Sequence, residues 1–212
     1  MKTKLLDLGL CDFDQAWQVQ KRTLEDIKKG ILDAVLILCR HYPVVTLGRQ
    51  AKKESLKATE EDLSKKGISL FSVERGGDAT YHGPGQLIAY PVFNLSYFKK
   101  DIHFFLRRLE DVAIGFLAEL GISGLRYEGL TGAWVEKRKI ASLGIAIRNW
   151  ITYHGLSINI QRDDLANFCL IRPCGMDIEM TSLEDELGQG VEPDSVKRKI
   201  TEQFKNIFGF VA

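Results

Sequence analysis

The stretch Arg75-Gly76-Gly77-Asp78-Ala79-Thr80-Tyr81-His82-Gly83-Pro84-Gly85-Gln86 constrains this chain more than any other. It packs four glycines and a proline into twelve residues, between two apolar runs. Glycine admits positive φ or close backbone approach, and proline fixes the chain and withdraws a donor. Interleaved with them, Arg75, Asp78, Thr80, Tyr81, His82 and Gln86 can all hydrogen-bond. Two readings fit. One is a tight strand-to-strand connection with incidental polar side chains; the other is a rigid, polar-lined loop whose backbone closes on a ligand.

With 212 residues, 45% of them apolar and 27% charged, the chain can bury a sizeable core as one domain spanning residues 1–212. A net charge of +1 argues against nucleic acid as partner. No apolar run approaches the ~20 residues of a membrane span, and the N-terminus meets Asp7 too early for a secretion signal. A cytoplasmic protein that does not associate with membranes is expected. The cysteines, Cys11, Cys39, Cys169 and Cys174, form no C-x-x-C pair, and His41, His82, His103 and His154 are expected to make no ligand cluster with them. No metal is expected, and reduced thiols are the default.

Read in order, Leu5–Leu10 is a short strand, and Asp14 caps a helix running to about Lys29. Leu32–Cys39 is an apolar run expected to be a buried strand, followed by a turn and a second strand over His41–Gly48. The charged segment Lys52–Lys66 is surface helix or loop. Ile68–Glu74 and Leu87–Leu95 are strands on either side of the glycine stretch, with Pro91 marking an edge or a bulge. Asp101 caps the clearest helix, whose apolar residues from Ile102 to Leu120 recur at three- and four-residue steps until Gly121 stops it. Ala133–Glu136, Ile140–Ile147 and Ile151–Ile160 read as strands, with Arg148-Asn149-Trp150 at a hairpin tip. Thr181 and Glu184 have capping-box spacing, and Pro193 opens a C-terminal helix to about Phe208. The expected fold is a mixed α/β (α+β) domain whose sheet is largely antiparallel, flanked by helices, rather than a series of βαβ units.

Three places carry chemistry. Cys174 lies in Arg172-Pro173-Cys174-Gly175, where proline and glycine take it out of regular structure and can present it to a ligand. Most cysteines are small buried hydrophobes, which suits Cys39 in its apolar run. Lys139 follows Lys137 and Arg138 and begins an apolar run; alternation does not decide which of the three cations points inward. A lysine held against a thiol favours thiolate, and a neutral one can act as base. Finally, Thr152-Tyr153-His154-Gly155 repeats Thr80-Tyr81-His82-Gly83, as two loops meeting one ligand or as coincidence.

Taken together, RGG-x-x-TYHGPGQ from Arg75, K-I-A-S-L-G at Lys139–Gly144, H-G-L-S-I-N at His154–Asn159 and P-C-G at Pro173–Gly175 stand in the order and spacing of the octanoyl-acyl-carrier-protein:protein octanoyltransferase family. The chain resembles that family from about His41 to Thr181. The resemblance implies a biotin/lipoate protein ligase-like fold and transfer of an octanoyl (or lipoyl) group, the first step of endogenous protein lipoylation. It implies Cys174 as the acyl-thioester nucleophile and Lys139 as the residue that lowers its pKa and handles protons. It further implies a substrate pocket lined by Arg75, Gly76, Gly77, Asp78, Ala79, Thr80, Tyr81, His82, Ser142, Leu143, Gly144, Gly155, Leu156 and Ser157. The implied partners are octanoyl-acyl carrier protein as donor and, as acceptors, lipoyl domains of 2-oxoacid dehydrogenase complexes and the glycine cleavage H protein.

Exchange of one thioester for another is nearly isoenergetic and conversion of a thioester to an amide is downhill. No ATP or other cofactor is therefore expected, in keeping with the absence of a phosphate-loop motif. Backbone N–H groups of Gly77, Gly144 or Gly175 are candidate oxyanion donors, and His82 is a candidate for orienting groups or shuttling a proton. Two alternatives remain at this point. One is an ATP-dependent lipoate–protein ligase on the same scaffold. The other is a non-catalytic carrier-protein-binding module in which Arg107/Arg108 or Lys137/Arg138 dock acidic partners.

Overall fold

The computed structural model describes residues 1–172 and 178–210. In chain order the elements are β1 (Thr3–Cys11), α1 (Phe13–Lys28), β2 (Ala34–His41), β3 (Val44–Leu47), α2 (Glu60–Lys65), β4 (Ser69–Ser72), β5 (Ala79–His82), β6 (Gln86–Phe93), α3 (Ile102–Glu119), β7 (Ala133–Val135), β8 (Arg138–Arg148), β9 (Ile151–Asn159), α4 (Leu183–Leu187) and α5 (Pro193–Phe208). A 3₁₀ segment, Asp163–Leu170, follows β9.

A six-stranded sheet runs β1-β2-β6-β9-β8-β7, and a three-stranded sheet runs β4-β3-β5. In the large sheet only the β1–β2 pair is parallel; α1 makes that crossover. The amphipathic helices α3 and α5 cover one face, where Phe105, Leu109, Phe116, Ile200 and Phe204 meet Leu36, Leu87 and Leu156. Helix α1 covers the other face through Ala16, Leu24 and Ile27. With both faces covered, every residue of β6 and of β9 is buried. The expected mixed, largely antiparallel sheet flanked by helices is therefore the observed fold.

Several local expectations are corrected. Asp12, not Asp14, holds the N-cap position of α1, and its side chain makes no capping bond. Ser182 caps α4 by accepting from the Asp185 N–H at 3.2 Å, one residue beyond the expected Thr181. The glycine stretch is not all loop, because Ala79–His82 pairs with β3 as β5. Thr152–Ser157 lies inside β9, the strand expected over Ile151–Ile160, so the second Thr-Tyr-His-Gly is not a loop. Strand β6 is not an edge: β2 and β9 flank it. Its regular pairing with β9 ends at Ala89–Leu156, before Pro91. Beyond that point the Thr152 hydroxyl bridges the strands, accepting from the Phe93 N–H at 3.0 Å and donating to the Pro91 carbonyl at 2.6 Å. A proline in a central strand is tolerated because a side chain supplies the cross-strand bonds.

Of the basic residues considered for docking, Arg107, Arg108 and Arg138 are engaged within the fold, while Lys137 is exposed. Arg107 and Arg126 both bind the buried Glu110, which also accepts the Gly132 N–H at 3.1 Å. Arg108 donates to Asp111 and to the Ile207 carbonyl, and Arg138 lies 3.0 Å from Glu186.

Candidate active site

Arg75 organises the glycine loop. Its buried guanidinium donates from Nη2 to the Thr46 carbonyl at 2.7 Å and hydroxyl at 2.9 Å, and from Nη1 to the Gly76 carbonyl at 3.2 Å. Burial draws its pKa down to about 10, which leaves it cationic at neutral pH. The Gly76 N–H donates to the Ile145 carbonyl at 2.8 Å, joining the loop to β8. Residues 48–50 zip along the same loop through Gly48 to Asp78, Arg49 to Arg75 and Gln50 to Gly77 backbone bonds. Gly77 takes φ 84°. A Cβ on Gly144 would lie 3.0 Å from the Gly76 carbonyl oxygen and 3.2 Å from Arg75 Cδ, so a side chain there would push the loop off β8.

The loop, β8, α3 and the 3₁₀ segment enclose a cavity of about 710 Å³. Of the expected site residues, Arg75, Gly76, Gly77, Asp78, Ala79, Thr80, Lys139, Ser142, Leu143 and Gly144 line it. A smaller cavity of about 40 Å³ shares the Arg75, Thr80, Ser142, Leu143 and Gly144 wall. It adds the expected His82, Gly155, Leu156 and Ser157. Tyr81 lines neither: its hydroxyl donates to Asp164 at 3.1 Å and accepts from Asn167 at 2.9 Å, tying the 3₁₀ segment to β5. The sequence reading missed much of the apolar wall, including Leu106, Leu130, Trp134, Phe168 and Met180, and the inner residues Phe13 and Tyr90. These come from six separate parts of the chain and share no local motif.

Of the three adjacent cations, Lys139 is the one that reaches the large cavity. Its amine lies 5.3 Å from the Trp134 ring centroid. Gly132, at φ 147°, leaves room for its stem; a Cβ there would sit 2.6 Å from Lys139 Cε. The Lys139 N–H donates to the Glu179 carbonyl at 2.8 Å, and the Thr181 N–H donates to the Lys139 carbonyl at 3.0 Å. On the other flank, the Arg172 N–H donates to the Ser55 carbonyl at 2.9 Å. Ile171 and Ile178 both line the large cavity with Lys139. Cys174 itself, with Gly175, lies outside the described residues.

Burial holds both cavity histidines neutral, with pKa values near 3. The Gln86 side-chain oxygen accepts from His82 Nδ1 at 2.9 Å, which leaves Nε2 without a proton. His82 lines the small cavity, whereas Lys139 lines the large one. The expectation that the cysteines and histidines form no cluster is also corrected. Cys11, Cys39 and His41 are all buried, with ligand atoms within 4.8 Å of one another. They meet because β1 pairs with β2 across a crossover that sequence spacing does not reveal.

Residues 12–205 match the lipoyl protein ligase A/B catalytic domain. The chain belongs to that family. An octanoyltransferase from Thermoanaerobacter sp. (strain X514) is 40% identical over 210 residues, covering 98% of this chain and 91% of the relative. Among solved structures, a lipoate-protein ligase A bound with ATP superimposes with a TM-score of 0.76 at 19% identity, covering 99% of this chain and 86% of that one. The Aquifex aeolicus biotin protein ligase in complex with biotin and ATP gives 0.59 at 11% identity, with coverages of 98% and 70%. At such identities these two likenesses speak to the fold, which is the expected biotin/lipoate ligase-like one.

Proposed function

We propose that the chain carries an octanoyl group from octanoyl-acyl carrier protein to the lysine of a lipoyl domain by way of a thioester on Cys174. The enzyme is an acyltransferase of the lipoylation family, with octanoyltransferases among its 40%-identical relatives. The observation that carries the site assignment is the placement of Lys139. It lines a largely apolar cavity together with Ile171 and Ile178, the nearest described cavity residues on either side of Cys174. Burying the seven carbons beyond an octanoyl carbonyl is worth about 5–6 kcal/mol, ample for holding the chain and sensing its length. The alkyl tail extends from the large cavity toward the small one past Ser142, Leu143 and Gly144.

In the first half-reaction the Cys174 thiolate attacks the donor carbonyl, and the carrier thiolate leaves with a proton from the Lys139 ammonium. In the second, the acceptor lysine amine attacks the enzyme thioester and gives its proton to the now neutral Lys139 amine. The cysteine thiolate leaves, and the starting ion pair is restored. The donor arrives activated, so neither ATP nor a metal is required. One site thereby serves two macromolecules in turn, in ping-pong order. The acceptors are lipoyl domains of 2-oxoacid dehydrogenase complexes and the glycine cleavage H protein, and the reduced thiol suits a cytoplasmic setting. No helix among the described residues is long and apolar enough to cross a membrane.

Intact mass after incubation with octanoyl-acyl carrier protein tests this reading. The unaltered enzyme should gain one octanoyl group, Cys174→Ser should gain none, and Lys139→Ala should acylate at least ~100-fold more slowly, in line with loss of a general acid–base. An adduct retained in Cys174→Ser overturns the nucleophile. Activity with free octanoate and ATP that survives Cys174→Ser selects the ligase chemistry instead.

A further inference from the structure

We propose that Cys11, Cys39 and His41 form a binding site for a thiophilic divalent cation of the zinc class, separate from the acyl site. Cys11 ends β1, while Cys39 and His41 lie on the neighbouring β2. All three side chains are buried, and Cys11 retains 8% exposure at the strand end, where a cation can enter. Two thiols and one imidazole are the donor set that borderline-soft d¹⁰ cations prefer over magnesium or calcium.

The geometry is close to that of an assembled site. His41 Nδ1 lies 3.1 Å from the Cys11 carbonyl oxygen, and a proton on Nδ1 donates there. That bond leaves Nε2 bare and fixes the ring, as a backbone carbonyl commonly does for a metal-bound histidine. Cys39 Sγ lies 3.6 Å from Nε2. Tetrahedral zinc with bonds of about 2.3 Å to sulfur and 2.05 Å to nitrogen sets those two atoms about 3.6 Å apart. The ligand atoms of all three side chains fall within 4.8 Å of one another; Cys11 Sγ lies on the Nδ1 side of the ring, 4.0 Å from that nitrogen, and must turn toward Nε2 to close the third contact. The Tyr90 hydroxyl, 2.8 Å from Nε2, gives up that hydrogen bond when the cation arrives and stands beside the fourth position. As the metal–sulfur bonds form, the thiol protons pass to solvent. The His41 ring centroid is 6.0 Å from that of His82, so the cation would sit one imidazole behind the small cavity.

The test uses the full chain carrying Cys169→Ser and Cys174→Ser, which removes the other two thiols, with cadmium as the probe. Titration should saturate at one equivalent with a sulfur-to-metal charge-transfer band of two-thiolate intensity, and zinc should displace the cadmium. Adding Cys11→Ser, Cys39→Ser or His41→Ala should weaken binding at least 100-fold. Bound zinc should also slow alkylation of Cys11, read by peptide mass in the parent protein and independent of whether any added variant folds. No charge-transfer band in the parent, or an unchanged band in Cys11→Ser/Cys39→Ser, overturns the site.

Discussion

The chain spells Thr-Tyr-His-Gly twice, at residues 80–83 and 152–155, and the two copies do different physical work. In the first, Thr80 faces the large cavity, the Tyr81 hydroxyl ties down the 3₁₀ segment, and His82 is oriented by Gln86. In the second, Thr152 is a buried cross-strand bridge to Pro91 and Phe93. His154 takes φ 57° and its backbone N–H donates to the Gln20 side chain at 2.7 Å. Of the four matched positions, only the histidines line the small cavity in both copies; Thr80 joins from the first and Gly155 from the second. The same four letters thus make a ligand-facing turn strand in one sheet and a structural splice in the other. What separates them is the neighbours that long-range pairing supplies.

The glycines break the comparison most sharply. A Cβ on Gly155 would run into the Ala89 carbonyl and lie 2.6 Å from Pro91 Cδ, both on the packed central strand β6. Neither can move without opening the sheet. Gly155→Ala should therefore cost at least ~3 kcal/mol in denaturant unfolding. The three atoms nearest a Cβ on Gly83 are those of the Asp164 carboxylate, at 2.5 Å; it is a side-chain end that can shift by loosening its bonds to Tyr81 and Gly85, unlike a backbone carbonyl inside a sheet. Gly83→Ala should cost about half as much, and equal losses would show that the Ala89 backbone yields as readily as Asp164.

The histidines sharpen it next. Burial depresses the pKa of His154 to about 3, far below an unfolded value of ~6.5. The unfolded chain therefore binds the extra proton between those limits. The stability His154 permits is complete above pH ~6.5 and is lost as pH falls toward 3, at about 1.4 kcal/mol per pH unit. His154→Asn keeps a residue that tolerates positive φ but cannot titrate. Between pH 6.5 and 5 it should recover about 2 kcal/mol of that loss, measured by unfolding at a series of pH values. An unchanged slope would place the titration elsewhere.

Such contrasts explain what was legible beforehand. Helix α3 was readable because its stripe is local, and the Asn149–Trp150 turn because two apolar strands flank it; both residues take positive φ. Pro91 misled because local chemistry marks an edge, whereas Thr152, sixty-one residues away, repairs the sheet. Lys139 could be named but not aimed. Its direction depends on the cavity wall at Trp134 and on the space left by Gly132, across a β7–β8 pairing whose register shifts. The Glu110 hub and the Cys11–Cys39–His41 cluster left no sequence signal, since each is assembled from residues at least sixteen positions apart in at least one contact.

The tyrosines give the smallest difference and the most discriminating one. Tyr81 is fully buried, and its hydroxyl joins Asp164 to Asn167. Asp164 also accepts the Gly85 N–H, so removing the hydroxyl takes one partner from a half-buried carboxylate whose pKa burial already raises. Tyr81→Phe should cost about 1–1.5 kcal/mol. It should also speed alkylation of Cys169, which lies on the 3₁₀ segment that this hydroxyl holds. Tyr153 packs its ring beneath α1 with its neighbours Tyr90 and Ile151. Because that ring, rather than a buried hydroxyl bond, holds it in place, Tyr153→Phe should stay within about 0.5 kcal/mol and leave Cys169 alkylation unchanged. If both tyrosines behaved alike, the Tyr81–Asp164–Asn167 tie would not be what holds the 3₁₀ wall against the cavity.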